Sequence, residues 1–183
     1  MKPTDQLIHE HKIILMVMEA VERHVSQIGK GAKPDLETLS KVLDFFRAFI
    51  DRCHHAKEEK HLFPILSQRG VPVEGGPIGV MLHEHQEGRQ HVKRFAEALE
   101  KLSRGDASAQ RPLLESATGY AALLRSHIAK EDGVLFPLAD RVLTPADQEK
   151  LAEAFEKLEA EEMGEGVHEK YHQLAHDLAA SWQ

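Results

Sequence analysis

Two segments of this chain set a histidine and a glutamate four residues apart in almost the same wording: His54-His-Ala-Lys-Glu58-Glu-Lys-His-Leu-Phe-Pro64 and His127-Ile-Ala-Lys-Glu131-Asp-Gly-Val-Leu-Phe-Pro137. Seven of the eleven positions are identical without a gap, which makes the pair a repeated unit. On a helix, a spacing of four puts both side chains on one face, a turn apart. An imidazole stacked on a carboxylate in a protein interior is costly unless a cation lies between them. The chemistry this spacing predicts is therefore metal ligation. The chain also carries 13 histidines in 183 residues, and they cluster; histidine is the commonest metal ligand among the side chains.

The elements that must position these groups read as helices throughout. Aromatic residues are few, Leu, Ala, Glu and Lys abound, and no stretch alternates with period two over the length of a strand, so the predicted class is all-α. Thr4 is placed to cap a first helix ending near Gly29, and Gly29 to Asp35 breaks it before a second that ends near Gln68. A third is expected from about Ile78 to Ser103 and a fourth from about Pro112 to Asp140. Pro64 and Pro137 fall in the last turns of the even-numbered helices, where a missing N–H bends or loosens the end. Ile8-His-Glu-His11 matches Leu82-His-Glu-His85, so the repeated unit is a helix pair. Two such pairs about an approximate twofold axis predict an up-and-down four-helix bundle over 4–140. Thr144-Pro-Ala-Asp147 begins a C-terminal extension over 144–183, whose last helix runs from Val167 to Trp182.

Helical phase then selects among neighbouring histidines. His11 lies in the apolar series Leu7, Ile14, Met18, Val21, and His9 does not. In the second helix, Phe46, Ile50, His54, Glu58, Leu62 form the inward series, which leaves His55 and Glu59 on a wetter face with Asp51 and Arg47. His85 follows Ile78 and Leu82, with His83 outside the register, and Leu124, His127, Glu131, Leu135 complete the fourth helix. Six polar groups thus enter the core: His11, His54, Glu58, His85, His127 and Glu131. A single core histidine is ordinarily satisfied by a carbonyl, but four imidazoles and two carboxylates at one level leave two buried charges to neutralise. His24, His61 and His91 read as partly exposed, and His168, His172 and His176 as a solvated face.

Four nitrogens and two carboxylates exceed what one structural zinc takes. Two ions fit better, each carboxylate bridging, with positions left for a water-derived bridge and a small molecule. Imidazole and carboxylate with open positions suit iron, with manganese or zinc as competitors. The ordered set of His on helix one, His-x-x-x-Glu on helix two, His on helix three and His-x-x-x-Glu on helix four, with Leu-Phe-Pro after both His-Glu motifs, resembles the hemerythrin-like, HHE cation-binding family. The resemblance covers residues 4 to 140 and implies a four-helix bundle with a non-haem di-iron site in which Glu58 and Glu131 bridge. It implies roles in binding or sensing O2, NO or peroxide, in iron handling, or in oxidase- or peroxidase-type catalysis. Oxygen-carrying members have a His-x-x-x-His pattern on helix three, where this chain has Arg89 preceded by Gly88, and an Asp after a longer gap on helix four, where it has Glu131. The departures imply a more open iron, with Gly88 leaving room beside it. Arg89, the acidic stretch Glu161 to His168, and Tyr171 are candidates for an outer shell or lid, against a plain packing role for the last two helices.

A net charge of −7 argues against nucleic-acid binding, which needs clustered Lys and Arg. The single Cys53 has no partner for an internal disulfide. With no signal-like segment at Met1 and no apolar run longer than Ile13 to Met18, a soluble, cytoplasmic protein with no membrane association is expected.

Overall fold

The computed structural model describes residues 1–162, 164 and 167–182, without the side chains of 167 and 168. The described residues form helices, one 3-10 turn and no strand. Helix α1 spans Pro3–Gly29, with Pro3 at its first position, where a missing N–H costs nothing. Its N-cap is Lys2, whose backbone N–H donates to Asp5 at 3.1 Å. Thr4, expected as the cap, lies inside the helix and donates its hydroxyl to Asp140 at 2.7 Å.

Helix α2 begins as Leu36–Phe45, capped by Asp35, which accepts from the Thr38 N–H at 3.1 Å. It continues through π-helical turns at Phe46–His55 and Glu58–Leu62 and closes as Phe63–Gln68. Helix α3 spans Pro77–Ser103. Helix α4 starts at Gln110, two residues before Pro112, runs to Lys130, widens over Glu131–Leu135 and ends as Phe136–Val142. Gly70 and Gly105, at φ +90° and +88°, let the chain leave α2 and α3 in the left-handed conformation that side chains resist.

The π-helical turn ahead of Pro64 recurs ahead of Pro137. Proline removes one ladder hydrogen bond and crowds the carbonyl four residues back; an i→i+5 turn gives that carbonyl room, so each helix passes through its proline instead of stopping.

The extension forms α5, Pro145–Glu162, and α6, Val167–Ser181. The helix start expected at Thr144-Pro-Ala-Asp147 is a reciprocal cap: the Thr144 N–H donates to Asp147 at 2.9 Å and the Asp147 N–H to the Thr144 hydroxyl at 3.2 Å. α3 lies along α4, and α1 packs against both α4 and α6. Leu158 of α5 and Tyr171, Ala175 and Leu178 of α6 join the same apolar core as α1 to α4. No helix among the described residues is long and apolar enough to cross a membrane.

The core is split in two. One apolar cluster holds Ile14, Val17, Phe46, Phe49, Phe95 and Leu124, the other Leu7, Leu62, Phe63, Met81, Leu135 and Phe136. Between them lies a layer of buried polar side chains from α1, α2, α3 and α4.

Candidate metal centre

All six residues selected by phase, His11, His54, Glu58, His85, His127 and Glu131, are buried and meet in this layer. The imidazoles form two pairs. Nε2 of His11 lies 3.0 Å from Nε2 of His54, and Nε2 of His85 lies 3.1 Å from Nε2 of His127. Each glutamate reaches both pairs. Glu131 sets one oxygen 3.1 Å from His11 and the other 3.2 Å from His127, while Glu58 sets one 3.3 Å from His85 and the other 3.8 Å from His54.

Every one of these rings is held from behind by a carboxylate. Nδ1 donates to Asp132 from His11, to Glu10 from His54 and to Glu59 from His85, each at 2.7 Å, and to Glu84 from His127 at 2.8 Å. A carboxylate only accepts, so the proton sits on Nδ1 and the lone pair on Nε2 points inward. Carboxylate-backed imidazoles of this kind are typical of metal-ligating histidines.

Two inward lone pairs 3.0 Å apart repel unless a cation or an extra proton lies between them. Two nitrogens each about 2.1 Å from one ion and at right angles to each other stand about 3.0 Å apart. All four oxygens of Glu58 and Glu131 are buried without a hydrogen-bond partner. The donor set therefore fits a cation.

The protonation states tell the same story. Burial pushes the His11 ring down, but Asp132 and Glu131 outweigh it and hold it up at about 10. Burial takes His54 down to about 4, with Glu10 only partly offsetting it. Glu58 is driven well above the usual carboxylate range, by burial and then by Glu131 beside it. For Glu131, burial is outweighed by His127 and His11, which hold it below that range. Proteins alone must put protons where cations would otherwise neutralise the charge.

His55 corrects the phase reading. It is 3 % exposed, stacks on His85 with ring centroids 3.8 Å apart, and joins Glu58, His85 and His127 within ligating reach of a shared point. The wetter-face placement assumed α-helical pitch, whereas Phe46–His55 has i→i+5 turns with more residues per turn, so the inward face drifts to include His55. Its backing is looser: Nδ1 stands 3.7 Å from Asp51 and has no hydrogen-bond partner.

Glu59 is the residue behind His85, not a ligand candidate, and Arg89 ties it to Asp51 with two bonds of 2.8 Å. Gly88 leaves room for Tyr120 rather than for an ion, since a Cβ there would stand 3.0 Å from the Tyr120 ring. Tyr171 packs among Phe45 and Phe49 and donates to Asp44 at 2.8 Å, away from the cluster. The acidic stretch to His168 falls in part outside the described residues. His24 is buried, not partly exposed, stacking on Trp182 and accepting from the Asp35 N–H at 3.1 Å.

Lys57 was not anticipated at all. Its side chain is 0 % exposed, and its ammonium pairs with Glu10 behind His54 and with Glu159 of α5. Lys130 pairs with Glu84 behind His127 in the same way but is 40 % exposed. The signal was present in the repeat: Glu10 and Glu84 precede His11 and His85, Lys57 and Lys130 precede the two glutamates, and Glu59 and Asp132 follow them.

A cavity of about 210 Å³ runs from exposed Arg47 and Lys93 down to His55. Larger hollows of about 510 and 480 Å³, beside Tyr171 and Leu43, do not touch the histidine cluster.

A helical bundle enclosing carboxylate-backed histidines defines a cation-binding helical protein, and the sequence matches the hemerythrin HHE cation-binding domain over residues 2–139. The chain belongs to that family. It is 26 % identical to uncharacterised proteins of Mycobacterium bovis and Mycobacterium tuberculosis over 161 residues, 88 % of this chain and 62 % of theirs. It is 30 % identical over 131 residues to the iron-sulfur cluster repair protein YtfE of Edwardsiella ictaluri, 70 % of this chain and 59 % of that protein. The chain thus spans about 60 % of the length of these relatives.

Proposed function

We propose that the chain is an up-and-down four-helix bundle holding two iron ions, and that the centre binds or senses a small ligand such as O2, NO or peroxide. The carrying observation is the double pairing: imidazole Nε2 atoms at 3.0 and 3.1 Å, with Glu58 and Glu131 each spanning both pairs. His11 and His54 would hold one ion and His85, His127 and His55 the other, with Glu58 and Glu131 within reach of both. Manganese or zinc would meet the same donors.

Iron, when bound, supplies reversible one-electron chemistry and open positions for a small ligand. Glu10, Glu84, Glu59 and Asp132 fix the tautomer and aim of the rings. Apolar clusters flank the layer of polar side chains. Iron handling belongs to the same reading, and the YtfE relatives, named for iron-sulfur cluster repair, support it. An oxidase- or peroxidase-type activity is the second reading, favoured by the cavity that reaches His55.

The test is elemental and optical. Protein from iron-replete cells should carry two irons per chain and lose most of them when Glu58 and Glu131 are both changed to Gln; well under one iron per chain, or unchanged content in that variant, overturns the proposal. Peroxide consumption beyond the stoichiometric oxidation of the iron separates the enzymatic reading from simple ligand binding.

A further inference from the structure

The rings and the carboxylates behind them are nearly symmetric; apart from the burial of Lys57 against Glu159, the departures gather on one side. An offset of 74 relates His11 to His85 and Glu10 to Glu84, and one of 73 relates His54, Lys57, Glu58 and Glu59 to His127, Lys130, Glu131 and Asp132. Each of these pairs keeps its partner under the exchange. The correspondence fails at the cavity. His55, Asp51 and Arg89 occupy positions whose counterparts are Ile128, Leu124 and Leu15, and Lys93 stands opposite Glu19. Ile128 and Leu124 are buried core residues with Leu15 packed against the same core, so that half is closed by apolar side chains. In the other half, polar and cationic residues replace them, and the packing opens into about 210 Å³ of space.

We propose that this cavity binds a small organic anion, a carboxylate on a body no larger than one ring, beside the His55 half of the centre. Its walls are apolar where Phe46, Val92 and Tyr120 face it, while its charged lining is three cations against Asp51 alone. Arg89 is spent on Asp51 and Glu59. Arg47 has no ion pair among the described residues, and Lys93 has only Glu97 at 4.0 Å, both largely exposed, so two cations at the mouth remain available to a carboxylate. Such a local excess of positive charge stands out on a chain of net charge −7. The volume falls below the roughly 300 Å³ at which drug-sized sites begin, which limits the body to a ring or short chain. At the inner end lies buried His55, whose Nδ1 has no hydrogen-bond partner among the described residues.

The placement beside the centre rests on the metal reading above; the anion preference does not. The test titrates sodium benzoate, and benzyl alcohol as its neutral counterpart, into the protein as purified, by calorimetry and by the visible absorbance of the iron. Benzoate should bind at least about 10-fold more tightly than benzyl alcohol, a difference of about 1.4 kcal/mol. Changing Arg47→Ala together with Lys93→Ala should remove that preference, and Val92→Trp should abolish binding of both by filling the cavity. Arg47 and Lys93 are exposed, so the double variant tests charge without loss of core packing. Absence of millimolar benzoate binding, or a preference that survives the double variant, overturns the proposal. Benzoate binding that leaves the iron absorbance unchanged overturns the placement beside His55. Iron content, measured on the same samples, reports separately on whether the metal reading itself fails.

Discussion

Lys57 and Lys130 are repeat counterparts that pair with equivalent glutamates, but Lys57 is 0 % exposed and Lys130 is 40 % exposed. This makes a controlled comparison of burial. Lys57→Met keeps most of the side-chain volume and removes the ammonium between Glu10 and Glu159. The His54 N–H to Glu10 and the Gln6 amide to Glu159, each at 2.7 Å, remain, but the buried ammonium that both carboxylates share is gone. Removing one partner from a buried ion pair costs about 3–5 kcal/mol. Lys130→Met, at the partly exposed counterpart, should cost no more than about 1 kcal/mol. In urea, with a slope of about 2 kcal/mol per molar, the midpoint should fall by about 1.5–2.5 M for Lys57→Met and by at most about 0.5 M for Lys130→Met. Both variants are compared with the parent in the same metal state, because bound ions add stability of their own. Midpoints lowered equally by the two substitutions would refute the reasoning that burial, not pairing, sets the importance of this lysine. Adding Glu159→Gln to Lys57→Met should restore part of the loss, since it removes one of the two carboxylates that the ammonium joined.

Three further outcomes follow from the same structure. Thr144→Ala removes the hydroxyl that caps α5 and should cost about 1 kcal/mol in thermal or urea unfolding, with no change in metal content. The Asp147 carboxyl, bonded by Arg69 and Thr144, is held below the usual carboxylate range, so its stabilising effect is complete above its unfolded value of about 4 and is lost as pH falls through the folded one; the melting-temperature gap between parent and Asp147→Asn should be widest near neutrality and shrink on acidification, and a gap independent of pH would contradict this. Cys53 is fully buried, so iodoacetamide should label it only after unfolding, and stoichiometric labelling of the native chain would show the core to be more open than described.

Much of the centre could be read from the chain. The apolar registers around His11, His54, Glu58, His85, His127 and Glu131 pointed each side chain inward, because α-helical periodicity ties sequence spacing to facing. His55 escaped the same argument because its segment is π-helical, and the rule that rejected it holds only at α pitch. The all-helical class, the loop glycines and the helix start at Thr144 were likewise local matters of propensity and turn chemistry.

What lies behind the rings was not local. Glu10 meets His54 across 44 residues of sequence, Asp132 meets His11 across 121, and Glu159 meets Lys57 across 102. No periodicity within one helix selects such partners; they follow from the order and depth at which the helices pack. By itself, the sequence determined that a repeated helix pair would turn two His-Glu motifs and two further histidines toward a common interior. Only the tertiary structure decided that each ring would have a carboxylate behind it, that His55 would join the cluster, and that one half would be closed by Ile128 and Leu124 while the other opens to solvent. The physical reason is that facing is a property of one helix, whereas pairing and enclosure belong to several.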